Sequence, residues 1–251
     1  MSSEEMIKKR LLDLATTAYR QNIYTYTNFL NASELSLYSQ MARDLSFIGH
    51  SEFGGSDLCE RKVIAFGSED ELGYPADFPI RLIKISPLAP KFADTLTHRD
   101  FLGSLINLGI ERNTLGDIFI KGNMGFVYCL SNMAPYIAEH LEKVKHTHIQ
   151  CRLVEMDIPE ITPAFTPLSF TVASNRIDTV VASLKNLSRN KAAELFLSKK
   201  IFLNGTVMEN HSYLLKPDDV ISIRGYGKFI YKGIEYTTKK SRLVVQLLKY
   251  T

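Results

Sequence analysis

Ser174-Asn175-Arg176-Ile177-Asp178-Thr179-Val180-Val181-Ala182, Leu187-Ser188-Arg189-Asn190-Lys191-Ala192-Ala193-Glu194-Leu195, Ile201-Phe202-Leu203-Asn204-Gly205-Thr206-Val207 and Asp218-Asp219-Val220-Ile221-Ser222-Ile223-Arg224-Gly225-Tyr226-Gly227-Lys228-Phe229 decide the fold of the C-terminal third. Ile177, Val180, Val181 and Leu184 share one face of a short helix, because residues three and four apart in a helix are neighbours. Ser188 stands where an N-cap belongs, and the second helix predicted from it runs to Lys199 with Ala192, Leu195 and Phe196 inward. Asn204-Gly205 is a strong hairpin turn signal, and Val220 to Ile223 supplies a further strand. Two helices on a small antiparallel sheet are expected.

The polar residues of this stretch have a pattern of their own. Arg176 opens the first helix, and Ser188, Arg189 and Lys191 cluster at the N-terminal turn of the second. Free backbone N–H groups and the helix dipole already favour an anion there, so cations cost about 0.3–1 kcal/mol each. A phosphate seated between that turn and the side chains would reverse the sign. Arg224 and Lys228, on the following strand and turn, extend the cationic set.

Charge supports a polyanionic partner for this end. The 251 residues carry a net +3, but residues 1 to 169 hold 16 Lys and Arg against 21 Asp and Glu, and residues 170 to 251 hold 14 against 6. A net −5 thus precedes a net +8. Asymmetry of that size points to nucleic acid or an anionic surface at the basic end. No run reaches the roughly 18–20 apolar residues of a membrane span, and Met1 to Met6 lacks the order of a secretory signal. A cytoplasmic protein with no membrane partner is expected. The cysteines at 59, 129 and 151 form no Cys-x-x-Cys pair and read as buried thiols. His146 and His148 share a strand face without a third ligand nearby, so neither metal nor other cofactor is expected.

The rest of the chain reads as α+β and multidomain. Helical spacing covers Glu4 to Arg20, and a helix from Ala32 to Leu45 starts at Asn31 with Glu34 three residues on. Ser46 to Phe53 and Arg61 to Phe66 read as paired strands around Gly54-Gly55-Ser56, completing an N-terminal α/β domain over residues 1–78. Residues 79–157 then give strand (80–85), helix (98–108), strand (118–121), strand (126–130), helix (134–144) and strand (148–154). Ser131 and Asn132 are candidate caps for the second of those helices. This βαββαβ order is that of ferredoxin-like domains, including many RNA-recognition modules. Pro159, Pro163 and Pro167 make residues 158–169 a semi-rigid linker, ahead of a C-terminal domain at 170–251.

The ordered set Arg-Ile-Asp, Ser-Arg-x-Lys, Asn-Gly and Asp-Val-Ile-x-Ile-Arg-Gly resembles the S-four type of RNA-binding domain, named for the fourth small-subunit ribosomal protein. The resemblance implies that Arg176, Ser188, Arg189, Lys191, Asn204 and Arg224 lie on or beside an RNA face. Lys200 departs from it, standing at a helix exit where that family commonly has Gly. Further upstream, Lys91-Phe92, Thr97-His98-Arg99-Asp100-Phe101-Leu102-Gly103, Leu108-Gly109-Ile110-Glu111-Arg112 and Leu115-Gly116-Asp117-Ile118 resemble the motif series of the YlmH family of bacterial ribosome-associated proteins. That likeness implies binding to the large ribosomal subunit, with rRNA and tRNA as the RNA partners; no catalytic end is recognisable in the sequence, and a non-enzymatic monomer is expected. The likeness also implies work in quality control of stalled nascent chains, with a family link to cell division that the residues do not explain.

His98-Arg99-Asp100 imitates a kinase catalytic loop, but position 105 is Leu where that loop needs Asn. Arg99 and Arg112 are candidates for a second RNA surface or for local pairing. Gly125-Phe126-Val127 is similar to the aromatic motif of RNA-recognition modules in a degenerate form, and Phe126 reads as core. Two other functions stay in view. One is an RNA-modifying enzyme with a site around His98, Asp100, Arg112 and Asp117; the other is an adaptor whose acidic first domain recruits a protein.

Overall fold

The computed structural model describes residues 2–57, 59–156, 165–184 and 186–250. The chain divides into two compact units, residues 1–162 and 163–251.

The first unit opens with α1 (Ser3–Gln21), whose start is fixed by a reciprocal cap: Ser2 Oγ accepts the Glu5 N–H and the Glu5 carboxylate accepts the Ser2 N–H. β1 (Thr25–Tyr26) follows, then α2 (Ala32–Gln40), with the expected Asn31–Glu34 capping box. α2 is shorter than its apolar spacing suggests; Met41 to Phe47 continue as turns that bury Met41 and Leu45. β2 (His50–Phe53) and β3 (Val63–Phe66) pair antiparallel, and β1 completes a three-stranded sheet in the order β1-β3-β2. β3 is central and all four of its residues are buried. The acidic stretch after it forms the single turn α3 (Glu69–Leu72).

Next come β4 (Ile80–Pro87), α4 (His98–Asn107), β5 (Leu115–Lys121), β6 (Met124–Leu130), α5 (Ala134–His140), β7 (Lys143–Val144) and β8 (Thr147–Val154). The sheet order is β5-β6-β4-β8-β7, antiparallel throughout. Its four main strands follow the ferredoxin-like arrangement, with β7 added at one edge. The helix expected to reach residue 144 stops at His140. Leu141 turns extended, and the chain pairs as β7, while neither Ser131 nor Asn132 caps α5, whose N-cap residue is Met133.

Residues 1–78 and 79–157, expected as separate domains, share a core. One face of the β-sheet packs Ile83, Ile85, Val127 and Cys129 against Phe101 and Leu105 of α4 and Ile137 of α5. The opposite face buries Ile80, Leu82, Phe126, Tyr128 and Leu130 against Phe29, Cys59 and Val63 of the N-terminal segment. Two glycines admit this approach: a Cβ on Gly55 would lie 2.2 Å from the Tyr128 ring, and one on Gly116 would lie 2.8 Å from Phe29.

The second unit contains β9 (Phe165–Val172), α6 (Ile177–Leu184), α7 (Arg189–Leu197), β10 (Ile201–Leu203), β11 (Thr206–Val207), β12 (Val220–Ile223), β13 (Gly227–Thr237) and β14 (Leu243–Tyr250). They form a six-stranded sheet ordered β11-β10-β12-β13-β14-β9, larger than the small sheet expected. Val172, Ile177, Val180, Val181, Leu195, Phe196, Ile221, Phe229 and Val245 make its core. The expected linker is corrected over its second half: residues 165–169 belong to β9, with Pro167 opposite Leu248. An edge strand leaves one row of N–H groups unused, which is where a sheet tolerates proline. Residues 158–164 lie outside the described residues.

Candidate nucleic-acid interface

The −5 and +8 of the sequence fall on the two units: residues 163–251 keep all of the C-terminal excess, since 163–169 carry no charge. Within the second unit, α6 and α7 enclose a groove of about 500 Å³. Ala182, Ser183, Ala192 and Ala193 line it with small side chains, and Arg176 and Arg242 bring cations to it. Phe196 and His211, whose rings lie 4.5 Å apart, also line it. Arg242 was missed in the sequence; it comes from the basic turn Lys239-Lys240-Ser241-Arg242 between β13 and β14, two strands whose pairing the sequence reading did not foresee.

Arg176 is not a bare cation. Its Nε and Nη2 donate to the Asp178 carboxylate at 3.1 and 2.7 Å. That bonding raises the Arg176 pKa. Burial pushes the Asp178 carboxyl up, but the Arg176 guanidinium and the Thr179 N–H outweigh it and hold the net value below the usual carboxylate range. Asp178 therefore stabilises the fold when ionised, and that contribution is lost as pH falls through its lowered value.

Ser188 caps α7, its Oγ accepting the Lys191 N–H at 3.3 Å. Arg189 is the first residue of that helix, and Lys191 is exposed on its first turn. Arg224 and Lys228 do not join them. Arg224 donates its backbone N–H to Lys200 O, just past the other end of α7, and lies over the Phe202 ring at 4.9 Å. Lys228 reaches over Tyr250 at 4.6 Å. From Ser188 to the Lys199–Lys200 exit is about 16 Å at the helical rise, so Arg224 stands past the far end of α7 from Ser188 and Lys191, while Lys228 stands on β13 opposite Ser222.

Asn204 is exposed at the turn between β10 and β11. Its backbone is left-handed (φ 49°), its Nδ2 donates to Asp219 at 2.9 Å, and its Oδ1 accepts the Val220 N–H at 2.8 Å. These bonds occupy its amide in holding the hairpin to the 216–219 loop.

At the exit of α7, Lys199 adopts φ 51°, and the N–H groups of Lys199 and Lys200 return to Phe196 O and Leu195 O. That is a Schellman ending with lysine where glycine is the norm, one residue before the position singled out in the sequence. Lys199→Gly is expected to stabilise the second unit by about 0.5 kcal/mol. Release of roughly 1 kcal/mol of left-handed strain is offset by greater freedom in the unfolded chain and by loss of an exposed ion pair with Glu209. Thermal unfolding of the two proteins checks it.

In the first unit the structure explains the enzyme-like residues by packing. Asp100 caps α4, accepting the Thr97 N–H and hydroxyl at 2.8 and 2.7 Å, and His98 is simply the first residue of that helix. The Asp117 carboxylate accepts the backbone N–H groups of Glu60 and Arg61 at 2.6 and 2.9 Å; burial raises its pKa. Arg112 donates to Leu115 O and Gly116 O at 2.6 and 3.1 Å, and burial, with Arg61 alongside, pushes its pKa down to about 10. Arg61 adds bonds to Leu115 O and Phe29 O. This cluster ties the β5 bulge to the N-terminal segment, and in it Arg112 makes the local bonds that were one of its two expected roles; Arg99 is exposed on the first turn of α4. Cys59, Cys129 and Cys151 are thiols raised by burial to about 11, 12 and 11. Among the described residues no helix is long and apolar enough to cross a membrane.

Comparison with known proteins agrees with these two folds. Residues 74–158 match the family model described as "Putative RNA-binding domain in YlmH", and residues 175–221 match the S4 domain, the S-four type. The Bacillus subtilis ribosome-associated protein quality control protein P2 is 28% identical over 219 residues, covering 86% of this chain and 83% of the relative. The structure of the cell division protein ylmH from Streptococcus pneumoniae is similar over 61% of this chain and 93% of its own, at 21% identity and a TM-score of 0.49. With a YlmH RNA-binding domain followed by an S4 domain, the chain is YlmH-like in its domain content and carries two domains of RNA-binding type.

Proposed function

We propose that this protein is a non-catalytic RNA-binding factor of the large ribosomal subunit, engaging folded rRNA and tRNA in the quality control of stalled nascent chains. The observation that carries the proposal is the +8 charge of the S4 unit, with Lys191 on the first turn of its second helix, Arg224 bonded through its backbone to Lys200 past the other end, and Lys228 on β13. Cations spread over such a distance neutralise several phosphates and set orientation, which suits recognition of a structured RNA by shape. The name of the Bacillus relative supports the ribosomal setting. In the enzyme alternative, Asp100, Arg112 and Asp117 would have to be released from the bonds that hold α4 and the β5 bulge.

Cross-linking the protein to RNA in living cells and mapping the reads tests the proposal. Reads concentrated in large-subunit rRNA and tRNA are expected; reads spread over messenger RNA, or none above background, contradict it.

A further inference from the structure

Strand register divides the helix-free face of the β4–β8 sheet into two halves. Ile80 opposite Leu130, and Leu82 between Tyr128 and Val154, form the half packed against Phe29, Cys59 and Val63. Two rows continue past it on the same face. Phe119, Phe126, Lys84 and Arg152 make the first, whose aromatic end still belongs to the buried cluster; Lys121 and Met124, then Gln150 beside Ser86, make the second. His148 and Lys143 pair beyond them at the β7 edge. No Asp or Glu occupies any of these positions. Lys121, Lys143 and Arg152 are exposed, and Lys84 is half-buried with its Nζ 5.5 Å over the Phe126 ring.

RNA-recognition modules of this topology stack bases on aromatic side chains of the open sheet face. Here that mode is closed. Phe126 and Tyr128 have no exposure, and the N-terminal segment sits where the bases would lie. Among the described residues the cationic half is the less covered one, and it offers point charges and amide hydrogen bonds in place of aromatic planes.

We propose that the first unit holds a second RNA site on this strip, Lys84, Lys121, Lys143 and Arg152 with Gln150, which takes the sugar-phosphate backbone of a folded RNA without reading its bases. The proposal rests on the RNA-binding reading given above and adds a surface to it. It is a different surface from Arg112, whose Nη1 donates to Leu115 O and Gly116 O. The N-terminal segment then has a defined part: by covering the aromatic half it leaves only the electrostatic half to RNA. An acidic unit with a local basic strip would be guided onto RNA by that strip, since outside it the unit carries 12 Lys and Arg against 21 Asp and Glu.

The test uses the full chain with Lys121→Ala and Arg152→Ala combined. Both side chains are exposed, and the hydrogen bond lost is the local one from Arg152 Nη2 to Gln150 at 3.0 Å, so the fold is kept. Affinities for purified large ribosomal subunits, deproteinised large-subunit rRNA and bulk tRNA are measured across a potassium chloride series. The parent's log affinity should fall linearly with log salt, and the double variant should lower the slope by about 2 on subunits and on at least one naked RNA. Contact with phosphate alone further requires that the loss be the same for RNAs of unrelated sequence. An unchanged slope in this variant, with the slope of an Arg189→Ala, Lys191→Ala variant reduced, overturns the strip and leaves the S4 site standing. Weakened binding to subunits with unchanged binding to every naked RNA makes the strip a protein contact and also overturns it. Salt-insensitive binding by the parent overturns both readings together.

Discussion

Gly55→Val is expected to destabilise the first unit by about 3–5 kcal/mol, the largest effect of any single change considered. Two costs combine. Gly55 has φ +104°, which side chains rarely adopt, at about 1–3 kcal/mol. Its added Cβ would lie 2.2 and 2.4 Å from two carbons of the Tyr128 ring, and forcing atoms into a filled core costs typically about 1–3 kcal/mol. Tyr128 has little room to yield: it is fully buried, its hydroxyl donates to Met156 O at 2.9 Å, and its ring meets Phe119 edge to face. Hydrogen exchange read by mass spectrometry checks the location of the effect. Protection should fall together in β1–β3 and in β4–β6, because both sheets bury residues in the same cluster, while β12–β14 of the second unit keeps its own. Loss confined to residues 50–66 would mean that the shared core is not cooperative.

The second large effect belongs to the other unit. Asp219 is 6% exposed and accepts from Asn204 Nδ2 at 2.9 Å and from the Lys216 N–H at 2.8 Å. Asp219→Ala takes the acceptor from two donors on exposed residues, each at the lower end of about 1–3 kcal/mol, so a loss of about 2 kcal/mol is expected in the second unit. The Asn204–Gly205 hairpin and the 216–219 loop should lose protection first. Fluorescence-detected urea unfolding of the two variants should shift different transitions, the Gly55 variant the first unit's and the Asp219 variant the second's. A common shift in a single transition would contradict two separate units.

These two sites also mark how far sequence reasoning reached. Asn204-Gly205 was legible because a left-handed turn between apolar pairs has few other solutions; that its amide is consumed by Asp219 was not, because the partner lies 15 residues on. The βαββαβ order was legible from period and punctuation. The burial of Phe126 was read from the degenerate aromatic motif, but what buries it was not, since the covering residues, Phe29, Cys59 and Val63, come from strands and loops of another predicted domain. Short strands escape periodicity altogether: Thr25–Tyr26 and Lys143–Val144 have two residues each. β9 was hidden by Pro167, whose meaning depends on whether a strand is central or at an edge. β13 and β14 carry ordinary alternation at Phe229 and Tyr231 and at Val245 and Leu247, and with them went Arg242 and its place in the α6–α7 groove.

Arg99 and Arg112 were indistinguishable in sequence. Three-dimensional packing separates them, leaving one on the surface and giving the other two backbone carbonyls. Likewise the charge step between the two halves was readable, whereas the local basic strip on the acidic unit required the register of four strands to appear.

The basic S4 unit is proposed to bind the large ribosomal subunit by neutralising phosphates from the start of α7. The most direct measurement is the affinity of the parent and of the Arg189→Ala, Lys191→Ala double variant for purified large subunits, between about 50 and about 200 mM salt. A steep linear fall is expected for the parent, with a slope shallower by about 2 in the variant and binding weaker by about tenfold or more at the lower salt. A double variant that binds as tightly as the parent with the same slope contradicts it.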